Sequence, residues 1–309
     1  MRHKELPASR GMAATLRMGG LSVRQLARGV AREVRQKRFV GRASELAFDF
    51  LFALFPLILF MLTLFGMFAS HSRELREMFL SFFADFLPRS AFELLTSTTT
   101  ELARNAGTGK LTLGIAMALW FASGGIGSMV AALNLTYEVA EERSWIRVRL
   151  TSLVLTLAIT VLMLAALCLG LASGHFLDLF AERIGLRPAV AEMWKVAKWP
   201  VAVVFVTVSY SLIYFFGPNV KRKRWRWITP GAVFGASAWV VACMSFRIYL
   251  GFFDGYAMSY GSLGAVMILL AWLYIAGLAF LVGGEINAQV ERAASAAAFE
   301  PRELAGPIV

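Results

Sequence analysis

Cysteine and histidine are nearly missing from this chain. Its two cysteines, Cys168 and Cys243, fall inside apolar runs, and its three histidines, His3, His71 and His175, lie far apart. That excludes a disulfide framework, and no His/Cys spacing suits zinc, haem or an iron–sulfur cluster. Acids are scarce as well, with 20 Asp and Glu against 31 Lys and Arg. No nucleophile elbow, no phosphate-cradling glycine loop leading into Lys-Ser/Thr and no His–Glu metal motif occurs. The reading is therefore of a chain with no catalytic residues, no metal ligands and no cofactor. Residues 1–42 are basic and broken by glycine, without the apolar core of a cleavable signal peptide.

Apolar sequence is what the chain has in quantity. Hydrophobic residues make up 58% and charged residues 17%, the profile of a polytopic membrane protein rather than of a soluble domain. Six stretches approach or reach spanning length, at 43–69, 111–133, 150–172, 197–217, 230–250 and 262–284. The fold class expected is all-α, with six transmembrane helices and amphipathic helices at the membrane surface. The net charge of +11 invites a nucleic-acid reading, but the basic residues alternate along the chain. Segments 1–42, 134–149, 218–229 and 290–309 hold eleven, three, five and two Lys or Arg, whereas 70–110, 173–196 and 251–261 hold five, three and none. Basic connections face the cytoplasm, so both termini are expected there, and no nucleic acid is expected as partner. Three parts follow: a basic amphipathic segment 1–42, a six-helix domain 43–289 with an external helical insertion near 71–106, and a tail 290–309.

Ala43 to Ala69 carries no Lys or Arg, yet it contains Glu45, Asp49 and Pro56. At about 100° per residue all three fall on one helical face. An acid facing lipid is costly, so that face looks at protein or water, or else the two acids sit at headgroup level. Pro56 removes a backbone donor and is expected to kink the helix. With the expected topology, Glu45 and Asp49 share a depth with Asn134 at the end of the second span and with Glu285 and Asn287 at the end of the sixth. A polar vestibule open to the cytoplasm, with gating or coupling groups, is the expectation. Gly124, Gly125 and Gly127 in the second span permit close helix packing, and Asn134, Tyr137, Glu138 and Glu141 suggest that this helix continues beyond the membrane.

Before the first span, Val23, Leu26, Ala27, Val30 and Val34 line one helical face and Arg24, Arg28, Arg32 and Arg35 the other. Ser22 with Gln25 has the form of a capping box. Such a helix suits an anionic membrane surface. Lys221, Arg222, Lys223 and Arg224, followed by Trp225 and Trp227, read as a cytoplasmic loop in contact with anionic lipid headgroups.

Five segments stand in order: SELAFDFLFALFPLILF (Ser44–Phe60), ALNLTYEVAEER (Ala132–Arg143), TPGA (Thr229–Ala232), YGSLGAVMILLAWLY (Tyr260–Tyr274) and GGEINAQVER (Gly283–Arg292). Together they resemble the YihY/BrkB family of bacterial inner-membrane proteins. The resemblance runs over residues 25–292. It implies a multi-pass protein of the bacterial inner membrane with six helices and cytoplasmic termini, in agreement with the charge pattern. Members have carried the label ribonuclease BN, for which this sequence offers no site. The expected function is a transporter or a translocator of lipid or another amphiphile, moving an amphiphilic or anionic solute. The alternatives are a non-transporting scaffold for envelope assembly and, further off, a membrane-associated ribonuclease.

Overall fold

Helices dominate because the sequence is built of long apolar runs whose backbone groups find no water in a bilayer, so each segment satisfies its own hydrogen bonds. The structure, a computed structural model, describes residues 20–69, 109–171, 187–220, 229–252 and 254–303, together with 80, 96 and 97. Among the described residues there are seven α-helices and no strand. They are α1 (Val23–Gln36), α2 (Phe39–Ala69), α3 (Gly109–Thr136), α4 (Trp145–Leu171), α5 (Arg187–Phe216), α6 (Pro230–Phe252) and α7 (Asp254–Glu303). Three segments are long and apolar enough to cross a membrane: Gly114–Thr136, Trp145–Leu167 and Val266–Ser295. Pro200–Phe216 and Pro230–Phe246 are shorter apolar helices. The insertion expected near 71–106 and the basic loop Lys221, Arg222, Lys223 and Arg224 lie outside the described residues, apart from 80, 96 and 97.

The chain divides into two compact units. The first comprises residues up to Phe48, Val130–Glu142 and those from Tyr210 onward. Here α7 packs along α6 and against α1. Leu26 and Val30 are buried against Val290, with Leu21, Val34, Val282 and Ile286 around them. The apolar face of α1 is thus partly spent on α7, while Val23 stays 69% exposed. The capping box expected from Ser22 and Gln25 is present, with each side chain bonded to the other's backbone N–H. Gly29 brings α1 close to Gln289, where a β-carbon would collide with the amide. Tyr214, stacked on Phe280 at 5.1 Å, donates to the Phe280 carbonyl at 2.6 Å. A β-carbon on Gly231 would strike the Gly283 carbonyl and Asn287, so α6 and α7 touch backbone to backbone.

The second unit comprises Asp49–Met129 and Arg143–Ser209. Gly125 packs on Ala53 and Phe50 of α2, and Gly127 faces the Ser152 hydroxyl of α4. Gly125 and Gly127 therefore serve close helix approach, whereas a β-carbon on Gly124 would meet open space. Helix α2 continues unbroken through Pro56.

Two helix boundaries differ from the sequence reading. Helix α3 stops at Thr136 instead of running on, because Glu138 turns left-handed (φ 57°). Val139 N–H bonds the Asn134 carbonyl and Glu138 N–H the Leu135 carbonyl, which is a Schellman termination. Helix α7, 50 residues and about 75 Å long, continues far past 284. Glu285 and Asn287 are accordingly mid-helix residues, not residues of a helix end.

Candidate functional site

Two left-handed residues build the site. Lys37 caps α1 and Arg38 follows at φ 51°, so the chain turns within two residues into α2 and leaves the Lys37 side chain pointing inward. The left-handed Glu138 ends α3 and delivers its carboxylate to the same place. Neither position holds the glycine that such caps favour, at a cost of about 1–2 kcal/mol each.

Lys37 Nζ, on a side chain only 11% exposed, donates to the Thr136 carbonyl at 2.8 Å. It also lies 2.9 Å from Glu138 Oε1, 3.0 Å from Glu285 Oε2 and 3.5 Å from Glu33 Oε2. Glu285 is 0% exposed. Its other oxygen accepts from Arg292 Nη2 at 2.5 Å and from Gln289 Nε2 at 3.3 Å. Arg292 Nη1 closes the ring on Glu138 at 2.9 Å. Three carboxylates and two cations thus join α1, the end of α3 and α7. Burial of a carboxylate is tolerated because both of its oxygens are met by charged donors. The Lys37 hydrogen bond, and then the charge of that ammonium, hold the Glu138 carboxyl below its ordinary value of 4.5. Burial, with Glu291 and Glu285 nearby, pushes the Tyr137 phenol up.

The other candidates named from sequence lie outside this network, and Asn134, Asn287 and Glu45 have partners of their own. Asn134 donates to Glu141 at 2.7 Å and accepts from the Asn219 backbone at 2.7 Å, while Asn219 donates to the Ala140 carbonyl. Asn287 accepts from Gly231 N–H at 2.8 Å and donates to the Thr229 hydroxyl at 2.9 Å, which itself accepts from Ala232 N–H. That arrangement lets α7 cap the first turn of α6. Glu45 is 63% exposed and pairs with Arg42 at 2.7 Å. Asp49 belongs to the second unit, half-buried on α2, and Pro56 is half-buried further along the same helix.

Sequence reading missed Lys37, Glu138 and Arg292. Part of the signal was there: Glu33 and Lys37 stand four apart, and Glu285 and Arg292 stand two helical turns apart on one face. The pairing of Lys37 with Glu285, 248 positions away, has no local trace. Among the described residues no group of three His, Cys, Asp or Glu is placed to hold a metal ion.

Among the described residues, seven helices and no strand, with three segments long and apolar enough to span a bilayer, define an all-α membrane protein. Residues 30–306 match the family described as virulence factor BrkB, and the chain belongs to that family. The family expected from the five ordered segments is the one matched. A ribonuclease-like protein of Bacillus subtilis, YfkH, is 35% identical over 82% of this chain and 90% of its own length. A UPF0761 membrane protein of Idiomarina loihiensis is 27% identical over 68% of this chain and 70% of its own. Another, from Xanthomonas campestris, is 29% identical over 87% of this chain and 60% of its own. No solved structure matches the chain.

Proposed function

We propose that this chain is a transporter or a lipid or amphiphile translocator of the bacterial inner membrane, with six spans and both termini in the cytoplasm. The observation that carries the proposal is the fully buried Glu285 on a long apolar helix, held by Lys37 from the α1–α2 turn and by Arg292. An ionisable group at such a position is a functional candidate by default. Lys37 reaches it from an element that a moving bundle would separate from α7, whereas Arg292 lies on α7 itself. Lys37 stands within 3.5 Å of three carboxylates at once, so in this reading it keeps a partner when Glu285 is released. In this reading the Glu285 network is the gate, Asp49 is a second coupling group, Pro56 lets α2 bend, and the solute is amphiphilic or anionic. Anionic headgroups at the cytoplasmic face are the lipid partners.

The test is scrambling of NBD-labelled phosphatidylglycerol in proteoliposomes holding the full chain. Glu285→Gln, Asp49→Asn and their double variant should each lower the rate; full activity in all three removes the proposed roles. A scaffold without transport is favoured by one feature, the exposed arginines of α1. It predicts no scrambling by the wild type.

A further inference from the structure

The second unit contains a charge that the Glu285 network does not employ. Arg149, in the second turn of α4, stacks its guanidinium carbon 4.1 Å above the Trp120 ring of α3. Its Nη2 donates to the Trp120 carbonyl, which also accepts from the Ser123 hydroxyl at 2.7 Å. Its Nε is buried and makes no hydrogen bond. Among the described residues no carboxylate pairs with Arg149 or with Arg147. The Trp145 ring meets Trp120 edge-on at 6.1 Å and is 68% exposed, and Phe121, Ile146 and Leu150, sequence neighbours of Trp120, Trp145 and Arg149, are exposed as well.

Its setting makes this unusual. Arg149 lies four residues into the apolar segment Trp145–Leu167 and contacts a second apolar segment, Gly114–Thr136. An arginine held by a ring and a carbonyl is less free to snorkel, and a charge beside apolar helices is costly without an anion. A planar guanidinium with unused N–H groups matches a phosphate diester, exposed tryptophans suit the boundary between headgroup and acyl chain, and exposed aliphatic side chains suit the tails.

We infer that Arg149, with the Trp120 and Trp145 rings, binds the phosphate of an anionic phospholipid within the membrane. This deepens the translocator reading by naming a headgroup for it, and rests on that reading only for transport. Binding is tested separately.

The experiment is native mass spectrometry of the full chain in detergent with added phosphatidylglycerol or phosphatidylcholine. Wild type should retain phosphatidylglycerol in preference. Arg149→Gln should lower its occupancy about fivefold, as for loss of one basic contact to anionic lipid. Arg149→Lys, which keeps the charge but not the planar fork, should fall between the two. Equal occupancy in wild type and Arg149→Gln at matched melting temperature overturns the site. Should the Gln variant fail to fold, equal occupancy in wild type and Arg149→Lys, without lipid preference in either, overturns it. Displacement of bound lipid by soluble glycerol phosphate would mark a site for a water-borne anion and overturn the lipid assignment. Arg149-dependent binding without scrambling by the wild type supports this site and sinks only the transport reading.

Discussion

Glu285 and its partners decide what single residues do in the first unit. Removing one member of a buried ion pair leaves the other uncompensated, at a cost of about 3–5 kcal/mol. Glu285→Ala should therefore lower the melting temperature in detergent well below that of Glu45→Ala, whose carboxylate is an exposed surface partner of Arg42. Comparable melting of the two variants would contradict the network. Glu138 gives a pH-dependent counterpart. Its carboxyl is depressed below 4.5 by the Lys37 hydrogen bond, so its contribution is present above that pH and is lost as pH falls through the folded-state value. The side chain is largely exposed, which limits the effect to under about 1 kcal/mol. Wild type and Glu138→Gln should differ in melting temperature at pH 7 and converge only as pH falls past the depressed folded-state value. Of this site, Glu285 was legible in the sequence as a polar residue in an apolar run. Lys37 was not, because it reads as one basic residue among many until the turn at Arg38 aims it inward.

Among the elements, α1 and α6 are the most sensitive to local chemistry. Ser22→Ala removes the capping box and should destabilise α1 by about 1 kcal/mol. The readout is faster hydrogen exchange confined to its first turn. Gly231→Val places methyl groups where the Gly283 carbonyl and Asn287 lie, and should cost about 1–3 kcal/mol or more through overpacking. Unchanged melting of that variant would mean that α6 and α7 do not meet as described. The cap of α1 was readable from Ser22 and Gln25, because capping is a matter of neighbours in sequence. The end of α3 was not, since helical spacing continues through Glu138 and only its left-handed turn stops the helix. The extension of α7 to Glu303 was missed for a related reason: apolarity ends near 284, but helix does not.

For the whole molecule, the alternation of basic connections predicts a definite orientation. In a cysteine-free background, Ala31→Cys and Ser295→Cys should resist an impermeant maleimide added to intact cells, while Ser259→Cys should react. Labelling at Ala31 or Ser295 would reverse or break the proposed topology. The same scale reassigns Arg149. Counting charges placed it in a cytoplasmic connection, whereas its contact with Trp120 sets it beside an apolar segment.

Membrane class, helical content and family membership were determined by the sequence alone. Each is written in quantities that a linear chain carries by itself: run length, charge order and the succession of five motifs. Tertiary structure decided which polar groups are neutralised and by what. Glu285 meets Lys37 across 248 positions, Asn287 caps α6 across 56, and Arg149 stacks on Trp120 across 29. The physical reason is that burial of charge is settled by partners in space. A helix presents one face to lipid and another to its neighbours, and which residue stands opposite depends on turns such as those at Arg38 and Glu138.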